Sequence, residues 1–369
     1  MKAVLSTKIL LAFFEVTDAC ELNCIHCRAS ASLERSPEEL TTEEAKSVIL
    51  QVSNIEGATP YLIFTGGNPM MRSDIFELME FAKTNHLHFS VSPAVTERLS
   101  ENNLRRIRNA GASSISVSLD GSFADLHNSI RRYDSFARTI SVINSAQKIG
   151  LPVQVNTTVM KRNASDLPDM LSLLIRLGIN VWEIFFLVNT GRGETVENIT
   201  TEEYHDVLDW LASISPGSIS VRTVEGPQLN RARIEVLGGN VIGSAFYNDL
   251  ISRTEKNVLE SGMTVQSPKK RTETIFISST GKVYPSGFLP VEAGDVRKES
   301  LYSIYRNSRI LKDLREMPSS VKGRCSECDF VYLCGGSRSR AYATFGDYLA
   351  EDPLCPYHSG HKYLSGSPS

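Results

Sequence analysis

The sequence predicts an α/β fold, in which a partial (β/α)6 barrel is followed by a smaller C-terminal domain. Short apolar runs alternate with amphipathic stretches six times before about residue 190. Such alternation is typical of a parallel sheet with helices outside it, and a full barrel needs eight repeats. After about residue 200 the rhythm ends, and four of the seven cysteines fall within residues 325–355. A second, cysteine-bearing domain is therefore expected at the C-terminus.

Each repeat of the predicted barrel pairs one apolar run with one helical pattern. Leu104 and Ile107 keep the spacing of one helix face, and Pro168 suits the first turn of a helix. Gly111 and Gly178 lie between elements, where caps and loops are expected. The predicted strands are 9–16, 60–65, 88–93, 114–119, 152–159 and 181–187, and the predicted helices are 43–54, 73–85, 97–110, 135–149 and 165–177.

The pattern changes several times in the rest of the chain. One more helix is predicted at 201–214 and one more strand at 219–224, followed by a stretch of poor pattern up to residue 272. Apolar runs on either side of Thr280-Gly281, at 274–279 and 282–284, predict a hairpin. The expected division is a barrel at 1–225, a connecting segment at 226–273, a cysteine-bearing domain at 274–363 and a disordered tail at 364–369.

Composition excludes several classes of protein. Apolar residues make up 41% and charged residues 22% of 369 residues, and the net charge is −3. These values are ordinary for a globular protein and give no bulk attraction to nucleic acid or to an anionic membrane. The apolar run from Ile9 to Phe14 is too short for a membrane helix or an export signal. We therefore expect a cytoplasmic protein with no nucleic-acid or membrane partner.

Three cysteines follow the first predicted strand with the spacing Cys20-x3-Cys24-x2-Cys27. Loops at the C-terminal ends of parallel strands are where α/β active sites form. Complete protein ligation of a four-iron cluster takes four thiolates, so three leave one iron open for another ligand. The alternative from the residues alone is a zinc site with His26 as its fourth ligand. The crowded spacing disfavours that geometry.

This motif resembles that of the radical S-adenosylmethionine (SAM) superfamily. The resemblance implies that Cys20, Cys24 and Cys27 hold a [4Fe–4S] cluster whose open iron binds SAM. It also implies reductive cleavage of SAM to methionine and a 5′-deoxyadenosyl radical that takes a hydrogen atom from substrate. A low-potential electron donor such as flavodoxin or ferredoxin is then a partner, and His26 lies where the family often places an aromatic residue near the adenine.

Further motifs match the family at the ends of successive strands. The segment Gly66-Gly67-Asn68-Pro69 resembles a Gly-Gly-Glu-Pro motif whose backbone receives the SAM amino group, although Asn68 replaces the carboxylate. Ser118 to Asp120 resembles a Ser-Leu-Asp motif, Asn156 matches a position that contacts SAM, and Arg192 belongs to a segment that closes over it. The resemblance implies that the cofactor-binding residues are Gly66, Gly67, Asn68, Pro69, Ser118, Asp120, Asn156, Arg192 and His26.

The C-terminal cysteines form a four-thiolate set, which from spacing alone suits zinc or an iron–sulfur cluster. The set resembles the SPASM/twitch extension of radical SAM enzymes, whose full form carries two auxiliary clusters. Two ligands of the full form are missing here, at Ser286 and Arg338. The resemblance therefore implies one auxiliary [4Fe–4S] cluster, fully ligated, for electron transfer or support. Its expected ligands are Cys325, Cys328, Cys334 and Cys355.

Within the family the chain looks most like the members that modify tetrapyrroles in heme and heme d1 formation. This likeness implies hydrogen abstraction from a porphyrin propionate, followed by loss of carbon dioxide. Arg338 and Arg340 are then candidates to hold a substrate carboxylate, against the alternative of solvated or ion-paired arginines, and Arg131 and Arg132 carry the same ambiguity. Peptide maturation remains an alternative, although few residues precede the first strand, where many peptide-modifying members carry a leader-binding domain. A non-catalytic electron-transfer protein is the remaining alternative.

Overall fold

The computed structural model describes residues 8–56, 58–214, 219–239, 241, 243–254, 273–355 and 357. Their contacts divide the chain into two compact units. The first unit consists of the described residues of Met1–Ser118, Asn128–Gln154 and Lys269–Arg315. The second consists of those of Leu119–His127, Val155–Pro268 and Glu316–Ser369.

The strands alternate with helices over the first 225 residues, as the sequence predicts. In chain order the strands are β1 Lys8–Glu15, β2 Ala58–Thr65, β3 His88–Val91, β4 Ile115–Ser118, β5 Val153–Val159, β6 Val181–Phe186, β7 Ser220–Val224, β8 Glu273–Ile277, β9 Lys282–Tyr284 and β10 Gly294–Asp295. The α-helices are α1 Thr42–Ser53, α2 Ile75–Thr84, α3 Glu101–Asn109, α4 Ala124–Arg131, α5 Phe136–Lys148, α6 Leu167–Arg176, α7 Thr201–Ser213, α8 Leu229–Leu237, α9 Ala245–Arg253, α10 Leu301–Asn307, α11 Arg309–Glu316 and α12 Arg338–Phe345.

In the first unit, β1 is a central strand. It pairs in parallel with β2 on one side and with β8 on the other, and the order of the strands is β10-β9-β8-β1-β2-β3-β4. Leu10, Ala12 and Phe14 alternate along β1 and are fully buried, as expected of a strand covered by helices. The loop that leaves β1 therefore starts from a buried strand that is paired on both sides.

The second unit is built around β5, β6 and β7, which are neighbours in that order. Trp182 on β6 and Trp210 on α7 are completely buried and meet edge to face at 6.3 Å. Their indole N–H groups donate to Thr157 Oγ1 at 2.9 Å and to Thr254 Oγ1 at 2.8 Å. Buried indoles need such acceptors, so these bonds fix how α7 packs.

Helices α1 and α7 both begin with a capping box. At α1, Thr41 Oγ1 accepts from the N–H of Glu44 at 3.3 Å, and Glu44 Oε2 accepts from the N–H of Thr41 at 2.8 Å. At α7, Thr200 and Glu203 repeat this pair of bonds. Each capping box satisfies two backbone donors that the helix cannot, so the two helix starts are specified locally.

The fold class and the predicted elements of residues 1–225 are confirmed, with ends shifted by a few residues. The hairpin is confirmed as β8 and β9, which pair antiparallel across a turn with Gly281 at φ +88°. Helices α8 and α9 lie in the stretch of poor pattern and were not predicted. The predicted domain boundaries stay a prediction, and the predicted tail lies outside the described residues. No described helix has the length and apolar character to cross a membrane.

Candidate functional site

The three N-terminal cysteines lie together on the loop that follows β1. Cys20 and Cys24 are 8% and 7% exposed, and Cys27 is half-buried. All three pack in one cluster with Leu22 and Ala31. The fold thus gathers the predicted ligands of one cluster at the C-terminal end of a central parallel strand, the usual place of an α/β active site.

Two N–H groups point at the sulfurs of this set. The backbone N–H of Leu22 donates to Cys20 Sγ at 3.4 Å, and Arg131 Nη1 donates to Cys24 Sγ at 3.6 Å. Burial raises the pKa of the Cys20 thiol to about 12, so this sulfur is a thiol unless a metal binds it. A coordinated thiol loses its proton, and the two donors then stabilise thiolate charge.

Gly66 and Gly67 hold the cysteine loop in place. The N–H of Gly67 donates to the carbonyl of Thr17 at 2.9 Å, and the N–H of Asn68 donates to the carbonyl of Ala19 at 2.7 Å. Gly66 has φ +150°, and a Cβ on it would lie 2.2 Å from the carbonyl oxygen of Thr17. A Cβ on Gly67 would lie 2.3 Å from the carbonyl oxygen of Ala19. Only glycine permits this approach.

The side chain of Asn68 is fixed by internal hydrogen bonds, and its assignment as a cofactor contact stays a prediction. Its side chain is completely buried, and its Oδ1 accepts from a backbone N–H of the 3₁₀ helix Pro69–Met71 at 3.1 Å and from Ala94 at 3.3 Å. Its Nδ2 donates to Glu21 Oε2 at 2.8 Å. Since Pro69 is buried as well, neither side chain can reach a ligand in this conformation.

Asp120 is also fixed by internal hydrogen bonds, and its assignment as a cofactor contact likewise stays a prediction. It is completely buried, its Oδ1 accepts from the N–H of Thr158 at 2.8 Å, and its carbonyl accepts from Asn163 Nδ2 at 2.9 Å. These bonds fix the turn after β4 and leave no side-chain surface for a cofactor. The predicted positions that keep partial exposure are Gly66, Gly67, His26, Ser118, Asn156 and Arg192.

Arg192 belongs to a well-held loop in the second unit. It lies in the 3₁₀ helix Gly191–Thr195, where Gly191 has φ +56°. Asn189 Nδ2 donates to the carbonyls of Gly193 and Val196, both at 3.0 Å. The loop is therefore ordered by its own bonds before any ligand arrives.

The four C-terminal cysteines all lie in the second unit and carry a similar set of donors. The backbone N–H groups of Phe330 and Gly336 donate to Cys328 Sγ at 3.4 Å and to Cys334 Sγ at 3.3 Å. Burial raises the pKa of Cys334 to about 12 and that of Cys355 to about 11. As at the first set, deprotonation requires a metal, and the donors favour thiolates once it binds.

A buried ion pair organises the chain around these cysteines. Asp352 is completely buried and accepts from Arg340 Nη2 at 2.8 Å, from the N–H of Ser337 at 2.7 Å and from Gln228 Nε2 at 2.7 Å. Burial is the largest influence on Asp352 and raises its pKa, but the charge and hydrogen bond of Arg340, together with the hydrogen bonds from Ser337 and Gln228, hold the pKa below its ordinary value. Asp352 is therefore a fixed anion, three residues before Cys355.

The guanidinium groups of Arg338 and Arg340 have internal partners in this structure, and their predicted role in holding a substrate carboxylate stays a prediction. Arg340 donates to Asp352, to the hydroxyl of Tyr204 at 3.0 Å and to a backbone carbonyl. Arg338 donates to three backbone carbonyls and to Cys325 Sγ. Every guanidinium nitrogen of both residues has an internal partner, so the ion-paired alternative is confirmed for Arg340.

Sequence reasoning missed the contact of Arg131 with Cys24. It had considered Arg131 and Arg132 only as substrate-binding or solvated arginines; the contact requires α4, which was not predicted. Arg132 is exposed.

Ser286 is one of the two positions where a full auxiliary set has a cysteine. Its Oγ accepts from the N–H of Phe288 at 3.1 Å.

Comparison with known proteins agrees with this site. The family model of the radical SAM superfamily matches residues 14–174. An AdoMet-dependent heme synthase of Methanosarcina barkeri is 33% identical over 95% of this chain and 97% of its own length. A second, from Oleidesulfovibrio alaskensis, is 34% identical over 95% of this chain and 88% of its own. A crystal structure of Streptococcus suis SuiB bound to precursor peptide SuiA has a TM-score of 0.66 at 11% identity and covers 95% of this chain and 76% of SuiB.

The chain belongs to the radical SAM superfamily. It is therefore an enzyme that cleaves SAM reductively and abstracts hydrogen from its substrate. Its cofactors are a [4Fe–4S] cluster with SAM, as the family uses, and an auxiliary [4Fe–4S] cluster, which fits the second cysteine set. The structural likeness to SuiB is consistent with the predicted partial (β/α)6 barrel and carries no argument about substrate.

Proposed function

We propose that this enzyme removes the carboxyl groups of porphyrin propionate side chains in the formation of heme. The observation that carries the proposal is the 33% identity with an AdoMet-dependent heme synthase over nearly the whole of both chains. A likeness of that extent takes in most of the chain that follows the SAM-binding half as well as that half itself.

The residues are assigned to three roles. We assign Cys20, Cys24 and Cys27 to the cluster that binds SAM and the four C-terminal cysteines to the auxiliary cluster. The exposed backbone of Gly66 and Gly67 is assigned to the amino group of SAM. The remaining proposed SAM contacts are Ser118, Asn156, Arg192 and His26.

The proposed reaction consumes one external electron for each molecule of SAM that is cleaved. When bound, the first cluster supplies that electron to SAM, which gives methionine and a 5′-deoxyadenosyl radical. Transfer of one hydrogen atom from the propionate β-carbon yields 5′-deoxyadenosine and a carbon radical on the side chain. Scission of the bond to the carboxylate then releases carbon dioxide, forms a vinyl double bond and leaves one surplus electron. An auxiliary cluster held by the four C-terminal cysteines would accept that electron.

The protein contributes a fixed geometry and charge. Arg131 donates to Cys24 Sγ at 3.6 Å and offsets thiolate charge in the buried loop. The close packing of Gly67 against Ala19 sets the position of that loop. With Arg338 and Arg340 bound internally, the exposed Arg132 is the arginine that we keep as a partner for a substrate carboxylate. We also propose a flavodoxin or ferredoxin as electron donor.

A product assay tests this function. Reconstituted protein is incubated anaerobically with SAM, dithionite and iron coproporphyrin III, and products are separated by mass. We expect a porphyrin lighter by one carboxyl group and one hydrogen per turnover, with one 5′-deoxyadenosine for each carbon dioxide. Cys24→Ala serves as the control and gives neither product.

Two results would contradict the porphyrin assignment. The first is the absence of binding in an absorbance titration at micromolar porphyrin. The second is 5′-deoxyadenosine formation that a peptide substrate stimulates and that porphyrin leaves unchanged. Either would favour the peptide-maturation alternative.

A further inference from the structure

Arg338 is held rigidly against one sulfur of the auxiliary set. It begins helix α12 and is 7% exposed. Its Nη1 donates to the carbonyls of Tyr348 at 3.1 Å and Ala350 at 2.6 Å, and its Nε donates to the carbonyl of Gly336 at 3.3 Å. Its Nη2 donates to Cys325 Sγ at 3.9 Å. Three carbonyls thus fix the guanidinium plane and aim its remaining nitrogen at the sulfur.

The backbone beside this contact is shaped to allow it. Gly336 has φ +68°, and a Cβ on it would lie 2.5 Å from Arg338 Nη2 and 3.4 Å from Cys325 Sγ. A side chain at position 336 would therefore occupy the space that the guanidinium and the sulfur share. This observation is independent of the hydrogen bonds and indicates that the approach of Arg338 to Cys325 is built into the fold.

Arg338 differs from the other arginines of this segment in its counter-charge. Arg340 pairs with Asp352 at 2.8 Å, and Arg324 pairs with Glu351 at 2.8 Å. The hydrogen bonds of Arg338 among the described residues go to carbonyls and to a sulfur, with no carboxylate among them. A buried cation needs an anion nearby. Asp347 interacts electrostatically with Arg338 without being among these hydrogen-bond partners, and the ligated thiolate of Cys325 is the anion that the guanidinium contacts directly.

We propose that Arg338 sets the reduction potential of the auxiliary cluster by holding a positive charge against Cys325. The proposal rests on the assignment of the four C-terminal cysteines as cluster ligands. A four-iron cluster with four thiolates is an anion, and its charge grows by one on reduction. A fixed guanidinium stabilises the reduced form more than the oxidised form, which raises the potential. Arg338 is a positioning residue that equips the cluster to take an electron from substrate.

Redox titration of the full chain tests this role. Replacing Cys20, Cys24 and Cys27 with alanine leaves the auxiliary cluster as the only EPR signal. In that background Arg338→Gln should lower the equilibrium constant for one-electron reduction by about tenfold, a shift of about 59 mV to more negative potential. Lys322→Gln is the matched control, because Lys322 lies three residues before Cys325 but is 63% exposed and pairs with Asp347. The reduction potential of the cluster should be the same in Lys322→Gln as in its background, because solvent screens the charge of Lys322.

Two further variants separate charge from structure. Arg338→Lys keeps the charge and should recover part of the potential. Gly336→Ala keeps Arg338 but displaces its guanidinium from Cys325, so it should also lower the potential, and it serves if Arg338→Gln does not fold. An unchanged potential in Arg338→Gln or Gly336→Ala with full iron content overturns the role of Arg338. If the triple-alanine background binds no iron, the assignment of the four C-terminal cysteines as cluster ligands fails, and this proposal fails with it. The porphyrin product assay tests the proposed function independently of that result.

Discussion

The three-cysteine loop and the four-cysteine segment hold their sulfurs in different ways. In the loop after β1, the ligands lie within eight residues. The backbone of Gly67 and Asn68, just after β2, fixes the loop through Thr17 and Ala19. In the segment at 325–355, the ligands are spread over thirty-one residues, and a buried ion pair and a buried arginine organise them. Both sets receive backbone N–H donors and one arginine at a sulfur. They differ in what holds the surrounding chain, which is backbone bonds at the first set and a buried ion pair at the second.

This difference corresponds to the chemistry expected at each site. A set of three thiolates leaves one iron for SAM, so its loop must keep open backbone beside the metal, which glycines provide. A set of four thiolates has no open position and can only hold or pass an electron. Buried charges such as Arg338 and Asp352 affect the energy of that electron, and they do not need to leave room for a ligand. The predictions below test this division.

The largest expected effect separates SAM cleavage from turnover. Cys24→Ala should abolish 5′-deoxyadenosine formation, because the cluster with the open iron is lost. Cys325→Ala should still form 5′-deoxyadenosine but should lose the decarboxylated porphyrin, because the surplus electron has no acceptor. Chromatography of both products under anaerobic conditions gives the comparison. SAM cleavage by Cys24→Ala at the rate of the unmodified enzyme would contradict the assignment of the loop.

The next effect is on iron content. We expect about eight irons per chain, four from each cluster. Gly67→Ala should lower this to about four, because its Cβ would meet the carbonyl oxygen of Ala19 at 2.3 Å and displace the cysteine loop. Iron and sulfide analysis measures both values. A value near twelve would reveal a third cluster, and four irons with stoichiometric zinc would make the second set a zinc site.

The sequence predicted the first region far better than the second. The loop after β1 was predictable because apolar periodicity gives the strand and close spacing gives the ligands, which are local signals. The complete burial of Asn68 and Asp120 was not predictable, because burial depends on tertiary packing that a motif does not encode. Asn68 satisfies the backbone of the 3₁₀ helix Pro69–Met71, and Asp120 satisfies that of Thr158.

In the second region the four cysteines were predictable and their surroundings were not. Arg340 contacts residues more than one hundred positions away in the sequence, such as Tyr204. Periodicity in the sequence does not predict contacts over that distance. Helices α8 and α9 are short and lie between stretches of weak pattern, so their existence depends on packing against α7. Arg231 on α8, which is 1% exposed, illustrates this, since a buried arginine has no apolar signature.

A smaller effect, on stability, should appear in the second region alone. Asp352→Asn leaves Arg340 buried without its counter-charge, which should lower the free energy of unfolding by about 3–5 kcal/mol. Asp347→Asn breaks the exposed pair with Lys322 and should lower it by no more than about 1 kcal/mol. Denaturant titration under anaerobic conditions compares the two. Equal losses would mean that the buried pair is not what organises the segment.

The buried pair of Asp352 and Arg340 also predicts that the stability of the protein depends on pH. The pKa of Asp352 lies below its ordinary value in the folded protein. The contribution of Asp352 to the free energy of unfolding is therefore complete above the pKa that this carboxyl has in the unfolded chain. It is lost as the pH falls through the pKa that the carboxyl has in the folded protein. The difference in stability between the unmodified protein and Asp352→Asn should therefore shrink on acidification. A difference that grows towards acid pH would contradict this sign.

The smallest expected effect tests whether helix starts matter equally in the two regions. Thr41→Ala removes the capping box of α1, in the unit that holds the three-cysteine loop, and Thr200→Ala removes that of α7, in the unit that holds the four-cysteine segment. Both boxes make the same two bonds at exposed positions, so each loss should lower the free energy of unfolding by about 1 kcal/mol. Neither change touches a sulfur or its donors, and iron should stay at about eight per chain. If Thr200→Ala released iron while Thr41→Ala did not, the second cysteine set would depend on α7, which carries Tyr204 as a partner of Arg340. That result would replace a local view of the four-cysteine segment with one in which α7 supports it.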